Sequence, residues 1–285
     1  MKVRLGYIDY LNCLPVYYGL ERGMVPLDVE VHRGTPTQLN RMFLQGELDI
    51  TPISSIEYGR NFRECVILPG LSVSADGRVG SILLFGRRPL AELDGAAISL
   101  TGSSATSVVL LKILLRQHYG LRATYVTHPP DLNQMLEQAD AALLIGDDAL
   151  LAAQARPDLS VTDLGRAWKD FTGRTMVYAL WVMHRDFAER CPDAVARVAS
   201  LLRASQGWGF ENRAGLVAEA LRRRNLPRPV IEDYFNLIRY RFDAPEREGL
   251  AEYYRQAHLI GELPEIAEIR IFGETEAARR AAGES

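Results

Sequence analysis

Hydrophobic and polar positions along the chain follow two rhythms in turn. Val3 to Ile8 predicts a short β-strand, followed by a loop at Asp9 to Pro15 and then a helix. Val29-Glu30-Val31 alternates as a second strand. Thr35-Pro36-Thr37-Gln38 predicts a helix start, because Thr35 can cap, Pro36 suits the first helical position and Gln38 can reach back to complete a capping box. Leu39, Met42 and Phe43 give that helix an apolar face, Gly46 ends it, and Leu48 to Ile50 returns as a strand into Thr51-Pro52-Ile53-Ser54-Ser55. Strand, helix and strand in this order imply a largely parallel sheet.

The order recurs 93 residues later. Pro36, Leu39, Asn40, Met42 and Gln45 match Pro129, Leu132, Asn133, Met135 and Gln138. The same offset sets the strand Val3 to Tyr7 on Ala96 to Leu100, the loop Asp9 to Cys13 on Gly102 to Thr106, and the loop beginning at Ile53 on the one beginning at Gly146. Two similarly built α/β lobes follow, which suits a chain of 285 residues at about 150 per domain. Ser81 to Phe85 and Met176 to Met183 are apolar and rich in β-formers, so they read as strands carrying the chain across a double hinge. The expected division is a discontinuous first lobe of residues 1–86 and 184–285 and a second lobe of residues 87–183. From Arg185 the pattern is helical, with Val195, Val198, Ala199 and Leu202 on one face, and then Leu216, Ala220 and Leu221. Arg222-Arg223-Arg224 ends that second helix and reads as helix-terminal cations. The tail Ala277 to Ser285 is polar and expected to fray.

Composition narrows the partners. With 47% hydrophobic and 24% charged residues and a net charge of -3, the chain has no global positive field for nucleic acid or an anionic membrane. Any anion must be held locally. No apolar run approaches the roughly 18 residues of a membrane span, and the first residues read as a strand rather than a leader, so a cytoplasmic location is expected. Cys13, Cys65 and Cys191 are odd in number and far apart, which predicts reduced thiols and neither a disulfide framework nor a zinc site. The five scattered histidines read as structural, and the signatures of nucleotide, zinc-protease and serine-hydrolase sites are absent. No metal and no cofactor are expected. Nothing in the sequence chooses between monomer and dimer.

Ligands of open α/β sheets sit beyond the carboxyl ends of the strands, so four loops become the candidate site. Thr101-Gly102-Ser103-Ser104-Ala105-Thr106-Ser107 holds five hydroxyl residues in seven positions at a helix start. Its backbone N–H groups, hydroxyls and helix dipole suit a carboxylate or phosphate, whereas capping alone needs one hydroxyl of Ser103 or Ser104. In the first lobe Tyr10 and Asn12 place a phenol and a neutral amide at the corresponding point, and Asn12 can equally form an Asx-turn. Ser54 and Ser55 open another helix. Gly146-Asp147-Asp148 follows the strand Ala141 to Ile145, with one aspartate expected to cap and the other free to face the cleft.

With Tyr10, Asn12 and Pro15 in the first loop, Thr51 to Tyr58 in the second, Ser104 to Ser107 opening the second lobe, and the blocks Leu144 to Leu150, Trp168 to Gly173 and Val177 to Trp181, the chain resembles the chorismate dehydratases of the futalosine route to menaquinone. It departs from that family's Gly-Leu-Pro-Phe-like run at Gly173-Arg174-Thr175-Met176, so the resemblance does not extend to this segment's contacts. The resemblance implies a two-lobed α/β fold like the type-2 periplasmic binding proteins, with two crossing strands. It further implies a cofactor-free loss of water from chorismate, a dicarboxylate, giving 3-[(1-carboxyvinyl)oxy]benzoate. Asn12 and Asp147 are then the expected catalytic residues, and Tyr10, Ser54, Ser55, Ser81, Ser104, Thr106, Ser107 and Gly146 the expected substrate-binding residues. Alternatives are the dihydroxynaphthoate synthase of the same pathway and a non-catalytic solute-binding protein. Arg78 and Arg174 are candidates for a cation that reaches the cleft.

Overall fold

The computed structural model describes residues 2–26 and 28–274; the tail expected to fray lies outside them. The first sheet is built from β1 (Val3–Ile8), β2 (Val29–Gly34), β3 (Ile50–Ser54), β4 (Cys65–Ala75) and β10 (Met176–His184), in the order β2-β1-β3-β10-β4. The second holds β5 (Ile82–Gly86), β6 (Ala96–Thr101), β7 (Ala123–His128), β8 (Ala141–Ile145) and β9 (Ser160–Asp163), in the order β7-β6-β8-β5-β9. Three parallel strands open each sheet, and β10 and β5 run antiparallel in the fourth place. Each antiparallel strand has thus crossed from the other lobe. The two lobes are built alike, with β1 repeating as β6 at the 93-residue offset and β2 as β7 and β3 as β8 within two residues of it.

Sheet membership moves the lobe boundaries. β5 pairs along its length with β8 and β9, and β10 with β3 and β4, so neither strand is divided between lobes. We therefore set the crossings at residues 76–81 and 173–175, in place of the boundaries expected after residues 86 and 183. β3 also begins later than Leu48, because its longer pairing is with β10, where Ile50–Ser54 face Ala179–Met183. β10 is nearly all buried between two strands, which is why its sequence is an almost unbroken apolar run.

The connecting helices are α1 (Leu14–Glu21), α2 (Pro36–Leu44) and α3 (Ser55–Asn61) in the first lobe, and α4 (Ala105–Ile113), α5 (Leu132–Gln138), α6 (Gly146–Ala155) and α7 (Leu164–Thr172) in the second. Thr35 and Gln38 form the capping box expected of α2. In its repeat the helix starts later, at Leu132 with Asp131 as cap. Pro130 disfavours helical geometry at Pro129, and the Asp131 carboxylate accepts the N–H groups of Asn133 and Gln134.

After β10 the chain adds α8 (Arg185–Arg190), α9 (Pro192–Glu211), α10 (Arg213–Arg223), α11 (Arg228–Leu237) and α12 (Ala244–Leu259) to the first lobe. α12 ties the lobes together. Its Tyr254 hydroxyl donates to the Ser55 carbonyl at 2.8 Å and its Tyr253 hydroxyl to the Thr106 carbonyl at 3.0 Å. One apolar core runs through both lobes, and a smaller one, around Phe85, Met135 and Leu144, packs the outer face of the second sheet.

The seat of α12 depends on Gly249, where a Cβ would lie 1.9 Å from the Thr175 carbonyl oxygen. Backbone meets backbone there, so Gly249→Ala is expected to destabilise the protein by about 1–3 kcal/mol in urea unfolding. A variant as stable as the parent would contradict this seating.

Candidate active site

Four strands, β1, β3, β6 and β8, end where the lobes meet, and each passes into a helix: α1, α3, α4 and α6. Only one of these helices is capped by a side chain. The Ser104 hydroxyl accepts the Ser107 N–H at 3.3 Å, whereas Cys13, Ser54 and Ile145 make no such bond. The starts of all four helices thus lie at the boundary, and those of α1, α3 and α6 keep N–H groups that no side chain caps, a field suited to an anion.

Contacts across that boundary gather the residues singled out in the sequence. Gly146 opens α6 at a φ of 60°, and a Cβ there would meet the Tyr10 ring at 3.1 Å, so this left-handed position and the close approach of the ring both require glycine. Burial pushes the pKa of the Tyr10 phenol up. The Gly146 N–H donates to the Ser81 carbonyl at 2.7 Å, and the Ser81 hydroxyl receives the Tyr234 hydroxyl at 2.9 Å. Ser55 Oγ donates to the Val177 carbonyl at 2.6 Å and lies 3.2 Å from Thr106 Oγ1, which accepts the Ile56 N–H at 3.1 Å.

The hydroxyls of the Thr101 to Ser107 loop bond within the protein, with the Ser107 O–H left over. Thr101 bonds Ser103 at 2.7 Å, Ser104 bonds Ser107 at 2.9 Å, and Thr106 serves α3. These bonds leave the Ser107 O–H, which accepts from Ser104, and the unbonded backbone N–H groups of the loop among its open donors. Two polar side chains of these four loops also remain open among the described residues. Ser54 is buried with its hydroxyl unbonded, and Asn12 Oδ1 is buried with no partner. A buried acceptor left unpaired costs about 1–3 kcal/mol, and among the described residues Asn12 Oδ1 is the one unpaired side-chain atom of the four loops that is fully buried.

Asp147 is placed differently. It is 3% exposed, and both its oxygens are engaged: Oδ1 accepts the Leu11 N–H at 3.0 Å and Oδ2 accepts Arg224 Nε at 2.5 Å. Burial pushes its carboxyl above the usual range, against the pull of the Leu11 N–H and Arg224. The expected capping aspartate is not found: Ile145 holds the N-cap position of α6, and Asp147 and Asp148 both lie in the first turn. Arg78 and Arg174 do not reach the cleft, being half-exposed and paired with Asp233 and Glu248.

The cation at the site is Arg224, which the sequence hid inside a run of three arginines. Arg222 and Arg223 turn back to Glu219 as helix-end cations do. Arg224 has left the helix in extended backbone, with φ -135° and ψ 136°, and reaches Asp147 and the Asp9 carbonyl. No composition signal separates the third arginine from the first two. Burial raises the Cys13 thiol far above its usual range and pushes Cys65 up to about 12, so neither is a ready thiolate. Among the described residues no group of three His, Cys, Asp or Glu side chains could hold a metal ion.

Glu219 anchors the end of the helix from which Arg224 departs. Hydrogen bonds from Arg222, reinforced by Arg223 and opposed by burial, hold its carboxyl down at about 2, against an ordinary 4.5. Because the folded value is the lower one, its stabilising contribution is present above pH 4.5 and is lost as pH falls through about 2. Glu219→Gln is therefore expected to lower the urea midpoint at neutral pH, with the gap to the parent narrowing steadily below about pH 4.5. A gap independent of pH would contradict the ion-pair account.

The known proteins similar to the chain agree with this architecture. The periplasmic aliphatic sulphonate binding protein of Escherichia coli superposes with a TM-score of 0.70 at 20% identity, covering 96% of this chain and 92% of that one. The fold is thus the periplasmic-binding-protein-like one expected from the resemblance. A chorismate dehydratase of Thermus thermophilus is 33% identical over 266 residues, 87% of this chain and 93% of that protein. A 1,4-dihydroxy-6-naphtoate synthase of the same organism is 27% identical over 189 residues, 66% of this chain and 68% of that one. The family described as "Menaquinone biosynthesis" matches residues 3–259, and the chain belongs to that family.

Proposed function

We propose that the chain is a chorismate dehydratase, removing water from chorismate to give 3-[(1-carboxyvinyl)oxy]benzoate. The observation that carries this reading is the 33% identity to a chorismate dehydratase over 87% of this chain, and the Asn12 amide before α1 is the group we assign to the substrate. Chorismate brings two carboxylates. The helix N-termini supply attraction to both, and the Asn12 amide can turn to donate to one of them. The greater identity and coverage of the chorismate dehydratase relative favour this activity over that of the naphtoate synthase.

The chemistry needs one proton acceptor and one departing hydroxyl. The C–H bond breaks at the ring carbon that bears the enolpyruvyl ether, and the C–O bond breaks at the neighbouring carbon. The electron pair closes the aromatic ring, and the hydroxide leaves as water once it has taken up a proton. Asp147 is a poor acceptor here, since Leu11 and Arg224 occupy both its oxygens. The enolpyruvyl carboxylate of the substrate is the better one, held against the ring by Asn12, and it can pass its proton on to the departing hydroxide. Ser81 accepts from Tyr234, which leaves its own O–H free to hydrogen-bond the departing hydroxyl. Aromatisation drives the reaction, so orientation and exclusion of water make up most of what the protein supplies.

Incubation with chorismate is expected to yield an aromatic product lighter by one water in mass spectrometry. Chorismate that binds and is released unchanged would support a solute-binding protein instead. Asn12→Ala is expected to lower kcat by about a hundredfold with a smaller change in KM, and normal turnover would remove its catalytic role.

A further inference from the structure

The loop that carries Asn12 is gripped by two side chains, one from each lobe. Arg224 Nη2 donates to the Asp9 carbonyl at 3.0 Å, while Arg224 Nε holds Asp147 Oδ2 at 2.5 Å. Asp147 Oδ1 in turn takes the Leu11 N–H at 3.0 Å. The two ends of the Asp9–Leu11 stretch are therefore bound to a single ion pair, and Asn12 is the next residue. The third guanidinium nitrogen donates to the Arg223 carbonyl at 3.0 Å, so Arg224 is itself fixed. The far end of the bracket is equally rigid: Asp147 follows Gly146, whose N–H is bound to the Ser81 carbonyl and whose Cα abuts the Tyr10 ring. With side-chain exposures of 28% and 5%, the pair is shielded well enough to act as a fixed fork rather than as a solvated surface contact.

We propose that Arg224 is a positioning residue for the reaction: through Asp147 it holds the loop so that the Asn12 amide meets the substrate. Arg224 and the loop belong to the first lobe and Asp147 to the second, so the bracket is complete only when the lobes are together. Asn12 is then set in place by closure itself. A displacement of about 1 Å in such a group costs on the order of a hundredfold in rate, without a matching loss of binding.

This inference rests on the catalytic reading of Asn12, and a double-mutant cycle in kcat separates the two. Arg224→Ala is expected to lower kcat at least about tenfold while KM moves by less than about threefold. Arg224→Lys can still reach Asp147 but cannot also hold Asp9, and is expected to recover part of the loss. In an Asn12→Ala background, Arg224→Ala is expected to change kcat by less than about twofold, because the group it positions is already gone. Arg224→Gln and Arg224→Lys carry the same cycle if the alanine variant does not fold. Equal losses in both backgrounds, or a folded Arg224→Ala enzyme with the parent's kcat, would overturn the inference while leaving the proposed function standing. Normal turnover by Asn12→Ala would remove the inference together with the catalytic role of Asn12.

Discussion

Asp147 is a carboxylate buried at the junction of two lobes, and a charge in that position must be paired and hydrogen-bonded or it will not stay charged. Much of the cleft follows from this constraint. Its partners come from the opposite lobe: a backbone N–H of the first loop and an arginine just past a helix end. For the carboxylate to reach them, α6 must begin directly at Gly146 in a left-handed conformation, and the same glycine leaves room for the Tyr10 ring. Satisfying one buried charge thus draws the two lobes and the Asn12 loop into one arrangement.

The exchange of strands makes that arrangement possible. β10 completes the first sheet and β5 the second, so the carboxyl ends of four parallel strands are presented to one another across a short double crossing. Tyr253 and Tyr254 of α12 then span the starts of α3 and α4. A sulphonate-binding protein shares this plan at 20% identity, which speaks for the fold alone.

Much of the fold was legible in the sequence because it rests on local rules. The capping box at Thr35 and Gln38, the apolar run of β10 and the 93-residue repeat are all patterns that neighbouring residues enforce. The sheet to which β5 and β10 belong was not legible, since pairing between strands so distant in the chain leaves no trace in either. At the site, Tyr10, Asn12, Ser81, Gly146 and Asp147 could be named from loop position and resemblance. Their contacts could not be foreseen: the hydroxyls between Thr101 and Ser107 bond one another and α3, and Asp147 faces Leu11 and Arg224 rather than an open cleft. Arg224 was concealed because the turn of backbone that separates it from Arg223 is decided by tertiary contacts.

The account stands on which side chain meets the substrate and which holds the scaffold. A crystal structure with the dehydrated product bound tests this most directly. The enolpyruvyl carboxylate is expected within about 2.7–3.2 Å of the Asn12 amide, with Asp147 still holding the Leu11 N–H and Arg224. A product carboxylate far from Asn12, or an Asp147 released from Arg224 and turned onto the ring, would contradict it.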